Sequence, residues 1–153
     1  MDKIDKKILT ILQNNITLPL SDIAKRVGIS KTPCWNRIRK LEEEGVITQK
    51  VAILNNSKIN LPIVVFLSIS VSHHTEEWLK KFSDTVKKHD QIIEVYRITG
   101  SNIDYLLKIV SPTISEYDKF QQMLIGEIEF NNMTSGIALK EIKKSSSLPL
   151  DYL

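Results

Sequence analysis

Hydrophobic periodicity changes once along this chain of 153 residues, and that change restricts the folds open to it. Up to residue 45 the apolar residues recur at helical spacing; beyond residue 60 short β-rich runs alternate with helical ones. A chain patterned this way must bury helix against helix in its first third. In the remainder it must bury helices against a sheet.

In the first third, DKIDKKILTILQ (2–13) sets Ile4, Ile8, Ile11 and Leu12 on one helical face. The loop NNITLPL follows, and Pro19 resists continuation of the helix. Ser21 is a suitable N-cap for a short helix, SDIAKRV, with Ile23, Ala24 and Val27 as its apolar side. Gly28 supplies the reversal. Ser30 then caps a third helix running from 31 to about 44, which Gly45 ends. Pro33 is tolerated there because it falls at the third helical position, whose N–H has no partner inside the helix. Three helices with a three-residue joint, Gly28-Ile29-Ser30, are the arrangement of a helix-turn-helix.

Beyond Gly45, VITQKVAIL reads as a strand and NNSKIN (55–60) as a linker. Residues 61–71 alternate, with Val65, Leu67, Ile69 and Val71 on one face. TEEWLKKFSDTVKKH (75–89) is helical, with Thr75 as its cap. IIEVYRIT and DYLLKIV are strands joined by a loop over 100–103. SEYDKFQQMLIGEI is helical, and a last strand covers about 134–144. The order is β-α-β-β-α-β, a ferredoxin-like module. The expected fold is therefore α+β, with a winged-helix-like helix-turn-helix domain over 1–54, a linker over 55–60 and a ferredoxin-like domain over 61–153. With both helices on one sheet face, the other face is left for a second copy.

Charge and chemistry narrow the function. Residues 1–50 hold ten Lys/Arg and six Asp/Glu, a net +4, whereas residues 51–153 hold eleven and twelve. The excess positive charge thus sits on the helical third, where a polyanion would dock. The longest apolar run, LPIVVFLSISV, is too short to cross a bilayer as a helix. Cys34 has no disulfide partner, no Cys/His zinc spacing occurs, and no nucleophile–base set or phosphate-binding glycine motif is present. These features lead us to expect a cytoplasmic protein without metal, cofactor or catalytic residues.

The third helix is the most informative element. At 100° per residue, Ile38 and Leu41 fall within about 40° of Cys34 and form a packing seam. Thr32, Asn36, Arg39 and Glu43 lie nearly opposite, with Trp35 and Lys40 on the shoulders. Asn36 and Arg39 carry the donor and acceptor groups that read base edges in a major groove. Ser30, Lys31, Arg37 and Lys40 are suited to phosphates. Trp35 is open to two roles, DNA contact or packing at an interface. Glu42-Glu43-Glu44 crowd the C-terminal turn, the unfavourable end of the helix dipole.

IDKKILTILQNN, LSDIAKRVGISKTPCWNRIRKLEEEGVI, TGSNIDYLLKIV and KEIKKSSSLPL together resemble the Lrp/AsnC (feast/famine) transcriptional regulators, over almost the whole chain. The resemblance implies DNA-binding control of transcription by dimers that often assemble into octamers, tuned by an amino acid or related small molecule. It places the effector at Gly100, Ser101 and Asp104, with Thr134 and Ser135 from the last strand. Backbone N–H groups of a tight loop hold a carboxylate, and a carboxylate side chain holds an ammonium. Asp104 has a second reading, as a stabiliser of the hairpin turn. Two departures stand out: three residues separate Gly100 from Asp104 where the family has two, so either the loop is one residue longer or Ser101 takes the glycine's place, and Thr17 stands where many members carry Arg. His73, His74 and His89 lie around one helix and read as solvated or capping residues. Two alternatives remain: an architectural DNA-compacting protein, and an enzyme resembling the siroheme decarboxylases, which share the two-domain fold.

Overall fold

The computed structural model describes residues 1–100 and 102–153. The chain forms two compact units, one of Met1–Ile53 with Ile142–Leu153, the other of Leu54–Glu141.

The first unit is built on α1 (Lys3–Asn14), α2 (Leu20–Val27) and α3 (Lys31–Glu43). Asp2 caps α1, accepting from the N–H groups of Ile4 and Asp5, while the Asp5 carboxylate accepts from the Asp2 N–H. That reciprocal pair satisfies donors the helix leaves open. Helix α2 differs from expectation at its start. It begins one residue before Ser21, with Pro19 in the capping position and no side-chain cap. Gly28 ends it at φ 78°, a left-handed conformation that a side chain would strain. Ile8 and Leu9 of α1 pack with Ile23, Ala24 and Val27 of α2 and with Cys34, Ile38 and Leu41 of α3.

Two features of this unit depart from the sequence reading. Residues 46–54 form no strand, and Val51, Ile53 and Leu54 are exposed. The segment has β-branched residues, but a strand also needs a second strand to take its N–H and C=O groups. Second, the C-terminal segment, expected in the ferredoxin-like domain, packs on the helices instead. Leu150 joins their core, and the Gln13 amide makes a reciprocal pair with Leu148, donating to its carbonyl and accepting from its N–H, each at 3.0 Å.

The second unit holds β1 (Ile63–Ser70), α4 (Glu76–Lys88), β2 (Ile92–Arg97), β3 (Tyr105–Ser111), α5 (Ile114–Glu127) and β4 (Asn132–Ile137). A 3-10 turn at Asn56–Ile59 occupies the expected linker. The strands form one antiparallel sheet in the order β2-β3-β1-β4. Val65, Leu67 and Ile69 of β1 face both helices and share a core with Trp78, Phe82, Tyr117, Phe120 and Leu124. Among the described residues of this unit the opposite face carries no helix, leaving Phe66 42% and Tyr96 52% exposed. The last strand ends at Ile137 rather than near 144. Among the described residues no helix is long and apolar enough to cross a membrane.

Candidate nucleic-acid interface and effector loop

Helix α3 separates its two faces as the helical period requires. Cys34, Ile38 and Leu41 are buried against α1 and α2, and burial pushes the Cys34 thiol pKa up. Ser30, Lys31, Thr32, Trp35, Asn36, Arg39 and Lys40 are exposed. Ser30 is the N-cap residue by backbone position, but its side chain makes no cap hydrogen bond.

Arg37 is the exception among the expected phosphate contacts. It is half-buried, and its Nη1 donates to Asp2 Oδ2 and Asp5 Oδ1, both at 2.7 Å. The guanidinium therefore pins α3 to the start of α1. The Asp5 N–H and then Arg37 hold the Asp2 carboxyl below its usual pKa, while Asp5 and Asp2 raise that of Arg37. An open groove beside this cluster is lined by Met1, Thr32, Pro33, Asn36 and Lys40 as well as the three charged residues.

The acidic run at the end of α3 has local partners. Glu43 accepts from Arg39 at 2.7 Å, Glu44 lies 3.7 Å from Lys40, and Glu42 pairs with Lys50. These pairs compensate for carboxylates at the unfavourable end of the dipole. The same Arg39 guanidinium lies 5.0 Å from the centroid of the Trp35 ring. The link from Arg37 to the Asp2–Asp5 pair is not visible in the sequence. The helix phase placed Glu43 beside Arg39, but nothing local linked residues 2 and 5 to residue 37.

In the second unit, Asp104 is the best-defined of the expected effector residues. Its Oδ2 accepts from the Val71 N–H at 2.7 Å, its own N–H donates to the Ile69 carbonyl, and its carbonyl accepts from the Ile98 N–H. Asp104 thus ties the end of β1 to the β2–β3 hairpin, which is the stabilising role left open above. Its Oδ1 lies 3.6 Å from His74 Nε2. Gly100 is exposed, and Ser101 lies outside the described residues. Asn102, at φ 67°, takes the left-handed conformation that Asn accepts readily.

Thr134 and Ser135 are divided by the strand pleat. Thr134 pairs with Ser68 on the helix-free face. Ser135 pairs with Leu67 on the covered face, its Oγ 2.6 Å from the Tyr117 hydroxyl. The two side chains therefore do not face one pocket. Of the histidines, His73 and His74 are exposed, whereas His89 is buried at the end of α4 with Nε2 2.8 Å from Glu127 Oε2. Lys88 and then His89 lower the Glu127 pKa. No group of three or more potential metal ligands occurs among the described residues.

Comparison with known proteins decides the family. Residues 1–48 match the winged helix-turn-helix DNA-binding model, and residues 64–148 match the Lrp/AsnC ligand binding domain. The chain belongs to the Lrp/AsnC family of transcriptional regulators. This regulator is 38% identical over 150 residues to the glutamate uptake regulatory protein of Zymomonas mobilis, covering 98% of this chain and 91% of that one. The crystal structure of an AsnC family transcriptional regulator from Agrobacterium tumefaciens superposes with a TM-score of 0.95 at 47% identity, covering 100% of this chain and 99% of the other. A transcriptional regulator/L-Met complex from Neisseria meningitidis gives 0.93 at 31% identity, covering 99% and 98%. The regulator is thus a DNA-binding protein of transcription and not an enzyme, which removes the decarboxylase alternative.

Proposed function

We propose that this Lrp/AsnC regulator reads a two-fold symmetric operator with α3. Thr32, Asn36 and Arg39 form the face turned to the base edges, and Ser30, Lys31 and Lys40 hold the backbone. The observation that carries this reading is the clean division of α3: its seam is buried, while its polar groups are exposed over the N-terminal turns. Arg37, held by Asp2 and Asp5, serves to fix α3 on α1 rather than to grip phosphate.

The active species is a homodimer assembling further towards an octamer in the cytoplasm. Exposed Phe66 and Tyr96 on the helix-free sheet face support self-association through that face. The effector is an amino acid or related small molecule held near Gly100, Ser101 and Asp104. Support comes from the Neisseria relative, whose structure is of an L-Met complex. Thr134, on the open face, is the better placed of the two β4 residues to join such a site between copies.

Polarisation assays with operator and random duplexes across a salt series test the DNA reading. It predicts a sequence-dependent affinity that falls steeply as salt rises. Equal affinity for both duplexes would instead favour an architectural DNA-compacting protein. For the effector, the twenty amino acids are screened for a rise in thermal midpoint. One or a few should raise it, and a flat screen would contradict an amino-acid effector.

A further inference from the structure

Trp35 is 46% exposed on a helix whose other large apolar side chains are buried. Trp35, Arg39 and Glu43 follow one another at four-residue intervals, so they form one stripe along α3. Within it the Arg39 Cζ lies 5.0 Å from the indole centroid, and Nη2 donates to Glu43 Oε1 at 2.7 Å. The guanidinium thus lies over the indole ring and is also held by one hydrogen bond to the carboxylate. Arg37 points to α1 and Lys40 pairs with Glu44, so neither competes for the indole.

We propose that Trp35 is a positioning residue for Arg39 and does not itself read a base. The proposal rests on the reading of α3 as the recognition helix. A guanidinium that stacks on a ring keeps its edge N–H groups available to acceptors. Guanine presents two such acceptors, N7 and O6, spaced for the two-pronged guanidinium edge. On docking, these acceptors replace the Glu43 carboxylate while the stack on Trp35 persists. An arginine side chain is costly to immobilise, so one already held against the indole loses less freedom on binding. Trp35 thereby sharpens discrimination at the base pair that Arg39 reads.

A double-mutant cycle on the full-length protein tests this, with polarisation measured on duplexes altered one base pair at a time. Arg39→Ala first locates the pair whose discrimination it abolishes. Trp35→Ala should weaken discrimination at that same pair by about two- to fivefold, the size of an exposed cation–π contact. In the Arg39→Ala background it should remove nothing further, and Trp35→Phe, which keeps a ring face, should retain most of the discrimination. Multiplicative losses, or a Trp35→Ala effect at a different base pair, would show direct contact by the indole and overturn the proposal. So would equal loss on all duplexes with a fall in thermal midpoint, which marks a purely structural role. If Arg39→Ala leaves discrimination intact at every position, the recognition-helix reading fails as well.

Discussion

Arg37 occupies a half-buried site where one guanidinium nitrogen meets two carboxylates, one from the N-cap and one from the first turn of α1. The same carboxylates form the capping pair of that helix, so the cluster fixes a helix start and a helix–helix contact together. Arg37→Ala should lower the thermal midpoint at neutral pH and weaken DNA binding only through misplacement of α3. The depressed Asp2 pKa sets the pH sign. Its contribution is complete above the ordinary carboxylate range, about pH 4, and disappears as pH falls through the lowered folded-state value. Asp2→Asn should therefore lower the urea midpoint at pH 7 and converge on the wild type in acid. In the second unit Asp104 accepts a backbone bond from Val71 while one third of its side chain stays exposed. Asp104→Ala should cost about 1–2 kcal/mol in urea unfolding, towards the low end for a charge-assisted bond. An unchanged stability would mean that the carboxylate is free for a ligand alone.

At the scale of elements, the helices and the β-α-β-β-α-β order were legible because each carries a period of its own, and caps such as Thr75 marked the helix starts. The packing seam of α3 was legible for the same reason. Less accessible were features that depend on a distant partner. VITQKVAIL has strand composition but forms no strand among the described residues, since pairing cannot be read from one segment. The C-terminal segment follows the ferredoxin-like domain in sequence, yet Leu150 packs on the helical core and the Leu148 backbone bonds to α1, through contacts some 135 residues apart. In the candidate effector site the strand period separates Thr134 from Ser135, although a motif match groups them. The tail contact gives a clear expectation. Gln13→Ala should destabilise the first unit by about 1–2 kcal/mol, the size of two ordinary hydrogen bonds. Removal of residues 147–153 should cost more, because Leu150 is then lost from the core. A truncated chain as stable as the full one would show the tail to be unnecessary.

For the whole molecule, the structural grouping sharpens the charge asymmetry. Residues 1–53 and 142–153 carry twelve Lys/Arg and seven Asp/Glu, a net +5, whereas residues 54–141 carry nine and eleven, a net −2. The field that attracts a polyanion thus belongs to the unit that bears α3. Lys31→Ala should weaken binding alike on all sequences and reduce the slope of log affinity against log salt by about one. Asn36 and Arg39 should behave differently, because they carry the reading of bases rather than attraction to phosphate. The most direct measurement is selection of bound sites from a randomised DNA pool, comparing the wild type with the Asn36→Ala/Arg39→Ala variant. The wild type should enrich a site with two-fold symmetry, and the variant should lose preference at specific positions of each half-site. An absence of any enriched site, or the same site recovered unchanged by the variant, would contradict the reading of bases by α3.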